Sequence, residues 1–247
     1  MKLALLADIH SNLEALTACI EHAEGQGADR YAFLGDLVGY GADPVAVLDL
    51  VESHVARGAV AVCGNHDEAV AGKASESMNE DAEAAVAWTQ GQLGDRQRLF
   101  LDSLPLTVQE ENILFVHASA AAPEKWTYVS DPLRAAHSMA ATDAQFIFCG
   151  HVHEPALYYI GASGRPLPFS PVPGTPIPVA PHRKWLAIVG SAGQPRDGNP
   201  AACYALLDAV RWMLTFHRVP YDCAAAAAKI RAAGLPESLA ARIEEGE

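Results

Sequence analysis

Five short apolar runs in the first 150 residues each end on, or one glycine before, a side chain able to bind a metal ion. The runs are Leu3 to Ala7, Tyr31 to Leu34, Val60 to Cys63, Ile113 to Val116 and Phe146 to Cys149. They lead into Asp8-Ile9-His10, Gly35-Asp36, Gly64-Asn65-His66-Asp67, His117 and Gly150-His151-Val152-His153. Runs of this length alternating with helical segments indicate buried strands in an α/β or layered α-β-α protein. In open α/β sheets ligands bind beyond the carboxyl ends of the strands, so the pattern predicts five separate tips converging on one place. Period-two spacing in an extended chain would put Asp8 and His10 on one face, and likewise His151 and His153. The glycines would let backbone and ion approach closely.

The connecting segments carry helix signals. Ser11-Asn12-Leu13-Glu14 is a capping-box pattern with Leu13, Leu16 and Ile20 at helical spacing behind it, which predicts a helix directly beyond His10. Asp43-Pro44 and Asp131-Pro132 each place a capping carboxylate before a proline, predicting helices through Val45 to Val51 and Leu133 to Met139. Met78 to Leu104 reads as two helices broken near Gly91 and Gly94, with Asp95 capping the second. From Pro166 to Pro181 seven prolines interrupt any helix. Residues 165–200 are therefore expected to form a long loop or hairpin that could cap the site, with Trp185 to Val189 resuming a strand. Further strands fit Cys203 to Leu207 and Trp212 to Val219. Asp222 caps an alanine-rich helix closed by Gly234, and Pro236 begins a last one, so residues 222–247 are expected to be helical. With half its 247 residues apolar, the chain can bury one large core, and a single domain over 1–247 is the expectation.

The tips together offer Asp8, His10, Asp36, Asn65, His66, Asp67, His117, His151 and His153. This mixed oxygen and nitrogen field suits manganese, iron, zinc or cobalt rather than calcium. There are too many donors for one tetrahedral ion, but they suit two divalent or trivalent ions sharing a carboxylate, about 3.5–4 Å apart as in clamps for in-line phosphoryl displacement. Asp36, alone on its loop, is the natural bridge. A hydroxide held between the ions would attack phosphorus, and the helix amino end beyond His10 would help stabilise charge on the phosphate oxygens. His66 adjoins Asn65 and cannot easily face the same ion, so it is assigned to protonate the leaving group. Asp67, grouped with it, could ligate, orient His66 or cap the next helix; a supporting or capping role is favoured.

The order D-x-H, G-D, G-N-H-D, a lone H and G-H-x-H resembles the calcineurin-like metallophosphoesterases, with every motif present between about residues 3 and 153. The resemblance implies one metal held by Asp8, His10, Asp36 and His153, a second held by Asp36, Asn65, His117 and His151, and His66 as the catalytic histidine. It also implies a four-layer α-β-β-α sandwich of two mixed sheets flanked by helices. Protein serine/threonine phosphatases and symmetrical dinucleoside tetraphosphatases carry a basic residue in the turn that here reads Gly35-Asp36-Leu37-Val38-Gly39-Tyr40-Gly41, which argues against a protein phosphatase. The segments Asp8 to Leu16 and Gly190 to Arg196 look more like the compact bacterial and archaeal phosphodiesterase branch.

Charge narrows the substrate. Thirty acidic against 17 basic side chains leave a formal charge of -13, which repels polyphosphate backbones. A small phosphorylated substrate is expected, and a nucleic-acid polymer is not. No apolar run approaches the roughly 20 residues of a membrane-spanning helix, and Asp8 interrupts the start too soon for a secretory signal, so no membrane partner and a cytoplasmic location are expected. The five cysteines show no C-x-x-C spacing and read as reduced packing residues. The expected activity is hydrolysis of a small phosphodiester or phosphomonoester, the diester favoured. Its rivals are a nuclease or protein phosphatase of the same superfamily, and a non-catalytic interaction scaffold whose signature, lost ligands, is missing here. Several readings stay open: Tyr40 touches substrate or closes a turn, Trp126 and Tyr128 stack a base or pack on a sheet, and Gly190 to Pro200 contacts the phosphate or is a plain turn.

Overall fold

Alternate residues of the first strand serve two different cores. In β1 (Lys2–Leu6), Leu3 and Leu5 join a core shared by two sheets, while Ala4 and Leu6 join a second one beneath helices. A strand buried on both faces must be apolar throughout, which is why these segments read as continuous runs. The computed structural model describes residues 1–73 and 78–247.

In one sheet β1, β2 (Arg30–Phe33) and β3 (Val60–Ala61) are parallel neighbours. Beyond β1 the sheet continues antiparallel through β11 (Ala202–Asp208), β12 (Met213–Val219) and β9 (Ile177–Pro178). The other sheet runs in the order β4 (Thr107–Glu110), β5 (Ile113–Val116), β6 (Phe146–Cys149), β10 (Trp185–Ile188), β7 (Ala156–Ile160) and β8 (Pro166–Phe169). There β5, β6 and β10 are parallel. The inner faces meet in a core that contains Phe115, Phe146, Phe148 and Phe216. Each such side chain contributes about 1.5–3 kcal/mol on burial, so apolar packing clamps the sheets together.

Helices α1 (Leu13–Gly25) and α2 (Pro44–Val55) bury Leu16, Ile20, Val47 and Val51 against the outer face of the first sheet. Helix α6 (Pro132–Ala140) covers the outer face of the second through Ala135 and Met139. The result is the four-layer α-β-β-α sandwich of mixed sheets. The short α3 (Asn65–Val70) leads to α4 (Glu80–Gln92) and α5 (Asp95–Ser103). At the end of the chain α7 (Cys223–Ala232) and α8 (Glu237–Glu245) share an apolar cluster with α4 and Tyr40.

Local signals were partly redirected by tertiary contacts. Asp131 and Asp222 cap α6 and α7 as expected, accepting from Arg134 N at 3.0 Å and Ala225 N at 2.9 Å. The start of α1 differs: Ser11 has φ +53°, a left-handed backbone that cannot cap, and Asn12 accepts from Ala15 N at 3.1 Å instead. Asp43 precedes α2 without capping it, because its carboxylate takes Lys229 Nζ at 2.7 Å. Asp95 is the first residue of α5 rather than its cap, which is Gly94. Pro166, Pro168 and Pro178 lie in the edge strands β8 and β9, where a missing N–H costs no ladder bond. All five cysteines are free, and four are buried. Among the described residues no helix is long and apolar enough to cross a membrane.

Candidate metal centre

The parallel strands of both sheets end at one edge of the sandwich. The site is therefore a cleft between two sheets rather than the switch point of one open sheet. Main-chain bonds fasten the tips to one another: Asp8 N donates to Gly35 O at 3.1 Å, Ile9 N and His10 N both donate to Asp36 O at 2.9 Å, and Gly150 N donates to His117 O at 2.9 Å. His151 N donates to both carboxylate oxygens of Asp8 at 3.0 Å, joining the sheets.

The paired tips are not extended. Asp8, His10, Asp36, His151 and His153 have φ of +52°, +49°, +51°, +67° and +66°. The expectation that period-two spacing aims each pair is thus corrected: β1 and β6 stop before them, and turns deliver the side chains. A left-handed backbone at a non-glycine residue costs of order 1–3 kcal/mol and persists where its surroundings over-determine it. Two glycines show how tight these are. A Cβ on Gly64 would lie 2.2 Å from Asp36 N, and one on Gly193 would lie 1.8 Å from Ile9 O. The glycines thus admit the backbone of one tip against another, and Gly64 and Gly150 also leave room for the carboxylates of Asp36 and Asp8, whose oxygens a Cβ would meet at 2.2 and 2.6 Å.

Three imidazoles have one nitrogen committed to a carbonyl. Nδ1 of His10, His117 and His153 lies 3.2 Å from Val38 O, 2.8 Å from Leu34 O and 2.6 Å from Gln194 O, respectively. A carbonyl only accepts, so each Nδ1 donates and each neutral ring turns an Nε2 lone pair into the cluster. There His10 Nε2 and His153 Nε2 stand 3.2 Å apart, and His117 Nε2 stands 3.1 Å from His151 Nδ1 and 3.2 Å from Asn65 Oδ1. Asp36 Oδ2 lies 3.3 Å from His117 Nε2 and 3.7 Å from His10 Nε2. Opposed lone pairs and buried carboxylates at such distances require a positive charge among them. Asp8, His10, Asp36 and His153 present donor atoms all within 4.8 Å of one another, and so do Asp36, His117 and His151. Asp36 belongs to both groups. The oxygen and nitrogen donors, free of thiolate, fit divalent transition metals.

In the metal-free protein a proton fills part of that need. Burial alone would depress His117, but Asp36 and Asp8 outweigh it and carry the imidazole up to about 9. Burial pushes Asp8 up to about 7, with His117 pulling it down and Asp36 pushing it up. Asp36 lies well below the carboxylate range, because His117, His66 and His10 overcome its desolvation. Burial holds His10 and His153 well below the usual histidine value, and with His117 takes His151 down to about 3.

His66 stands beside the cluster, its ring edge-on to His10 at 4.9 Å and 4.4 Å from Tyr40, while its main-chain N donates to Asp36 Oδ1 at 2.9 Å. Asp67 does not orient that ring, since no described residue bonds His66 Nδ1. It accepts instead from Leu37 N, Val38 N and Gly64 N at 2.8, 3.1 and 2.9 Å, tying the Asp36 loop to the loop of Asn65 and His66. Tyr40 is buried and packs on His10 at 4.6 Å as well as on His66. Trp126 packs edge-on to His117 at 5.9 Å and donates to Glu68 at 3.1 Å. Tyr128, 46% exposed, stacks on His151 at 3.9 Å.

Residues 190–196 fold onto the cluster. Ser191 Oγ and Gly193 N both donate to Asp8 O, at 2.8 and 2.9 Å. Asn199 closes a local turn, its Oδ1 accepting from Ala201 N at 3.0 Å, and its main-chain oxygen accepts from Arg218 Nη1 at 3.4 Å. Sequence reasoning missed Gln194, whose main-chain oxygen fixes His153; a carbonyl carries no residue signature.

Sandwich, cleft and donor set together define a metallophosphoesterase class of protein. Residues 1–211 match the family model for the calcineurin-like phosphoesterase superfamily domain, and the chain belongs to that superfamily. A metallophosphoesterase from Sphaerobacter thermophilus, known as a crystal structure, is similar with a TM-score of 0.88 and 36% identity, covering 100% of this chain and 99% of that one. The uncharacterized protein MJ0912 of Methanocaldococcus jannaschii is 34% identical over 246 residues, 98% of this chain and 96% of the relative. The hypothetical protein PH1004 from Pyrococcus horikoshii OT3 shares the fold, with a TM-score of 0.79, 21% identity and coverage of 100% and 98%.

Proposed function

We propose that the protein hydrolyses small phosphoesters, phosphodiesters ahead of phosphomonoesters, with two divalent transition-metal ions. One would be held by Asp8, His10, Asp36 and His153, the other by Asp36, Asn65, His117 and His151. The observation that carries this reading is the pair of Nε2 atoms of His10 and His153, 3.2 Å apart with both Nδ1 atoms engaged elsewhere. Bound ions would neutralise phosphoryl oxygens and acidify a water, which is the usual service of such a pair.

The chain's own residues do the rest. Val38, Leu34 and Gln194 carbonyls fix the orientation of the imidazoles, so no ring has to turn when an ion arrives. The amide N–H of His66 steadies Asp36 in its shared position. The His66 imidazole delivers a proton to the departing oxygen, a role worth about 10²–10⁴ in rate. A formal charge of -13 favours small substrates over polynucleotides. The diester preference rests on the likeness of Asp8 to Leu16 and Gly190 to Arg196 to the phosphodiesterase branch.

The test is direct. Protein stripped of metal and reloaded with manganese is expected to cleave bis-p-nitrophenyl phosphate faster than p-nitrophenyl phosphate. Turnover of neither, with manganese, iron, zinc or cobalt, would overturn the reading in favour of a scaffold.

A further inference from the structure

Arg196 is a cation beside the cluster with no task in the chemistry above. Among the described residues no carboxylate pairs with it, because the adjacent Asp197 is taken by Arg218. Its Nε and Nη2 donate to Gln194 Oε1 at 3.2 and 2.8 Å. That partner is a neutral amide, so the positive charge stays uncompensated in a chain rich in acid. The guanidinium carbon lies 5.8 Å over the ring of Tyr40, which also packs on the rings of His10 and His66. Its charge is felt by Asp8, His10, His66 and His153, and also by Tyr128, the exposed ring stacked on His151.

The mounting is rigid. Gln194 binds His153 through its carbonyl and Arg196 through its side chain, and Gln194 N donates to Ser191 Oγ at 2.8 Å, which in turn donates to Asp8 O. A segment tied at two points to the ligand loops therefore carries the guanidinium. Gln194 occupies the Nε/Nη2 edge and the Tyr40 hydroxyl lies near the guanidinium, while among the described residues no other side chain claims Nη1, which with Nη2 forms the other fork able to hold two oxygens of one phosphate. Arg196 is half-buried, so that edge is not sealed off.

We propose that Arg196 grips the substrate's phosphate by the oxygens turned away from the metal ligands, and that Gln194 holds the guanidinium in place for it. This rests on the phosphoesterase reading, which supplies the phosphate. A fixed fork adds affinity because its ordering is complete before substrate arrives.

The experiment compares manganese-loaded wild type with Arg196→Met, Arg196→Lys and Gln194→Met, reading metal content, the Kd of inorganic phosphate by calorimetry, and kcat and KM for bis-p-nitrophenyl phosphate. Arg196→Met is expected to keep its manganese and bind phosphate about 30-fold more weakly, with KM rising by a similar factor and kcat falling less. Arg196→Lys should recover part of the loss, and Gln194→Met should show about a 5-fold loss with charge intact. Wild-type phosphate affinity in Arg196→Met would overturn the proposal, as would loss of manganese in both Arg196 variants, which would make the residue a support for the ligands. If wild type cleaves no phosphoester, the enzymatic reading falls, yet the phosphate Kd still decides the role of Arg196.

Discussion

At the strand tips, His10 and His153 face each other nitrogen to nitrogen at 3.2 Å, whereas His22 of α1 meets the Tyr204 hydroxyl of β11 at 2.8 Å, with the His217 ring 5.0 Å away. Both groups pack imidazoles closely. In the second a hydroxyl, able to donate and accept, satisfies a ring without any ion. In the first, the Nε2 atoms of His10 and His153 are both acceptors once Val38 and Gln194 have claimed their N–H groups. Neither the number of histidines nor their burial marks a metal site; inward nitrogens left as opposed acceptors, as at His10 and His153, do.

The sharpest way to break this contrast is Asp36→Asn, which removes the shared charge from the first cluster. We expect kcat to fall by about 10³ or more, given the several kcal/mol a metal contributes, with metal content measured by mass spectrometry also reduced. His22→Gln, by contrast, should leave metal content unchanged. Next comes His66→Ala, expected to keep its metal while losing about 10²–10³ in kcat; release of the metal would mean that His66 is a ligand.

The third effect concerns pH. His117, drawn up to about 9 against its burial by Asp36 and Asp8, carries a proton in the metal-free protein below that pH and must lose it to ligate. Manganese affinity should therefore climb about tenfold per unit between pH 7 and 9, and flatten above; chelator competition across that range would detect a flat profile that refutes it. The smallest effect lies in the second cluster. Burial, then His22, pushes His217 down to about 4, while the unfolded chain binds that proton near pH 6.5. Its stability contribution is thus complete above about 6.5 and is lost as pH falls toward 4. Screening at this half-exposed site limits it to about 1 kcal/mol. In urea titrations His217→Phe should show a shallower fall between pH 7 and 4.5, with or without metal.

Ligand identities were legible because a donor at the end of each apolar run survives any detail of geometry. The conformation of Asp8, His10, His151 and His153 was not, since Asp and His, though enriched among left-handed residues, adopt that backbone too seldom to announce it as glycine does. Ser11 and Asn12 were indistinguishable as caps from their types; Gly41 N donating to His10 O and Asp43 N to Ser11 O, both at 3.0 Å, bend the chain so that Asn12 takes the role. Asp43 was misread because Lys229, which takes its carboxylate, comes from the far end of the chain. Arg196 stood in the sequence without a direction; what aims it is Gln194, itself positioned by a main-chain bond.

Tyr40 leans on His10 and His66 from one side and shares its apolar cluster with α7 and α8 on the other, while β1, made before any ligand, pairs with β11 from beyond residue 200. A nascent chain on the ribosome therefore holds all its ligand side chains long before the frame that aligns them exists. Competence for metal should be acquired abruptly, when β11 and helices α7 and α8 clear the exit tunnel, rather than building up as each donor is synthesised.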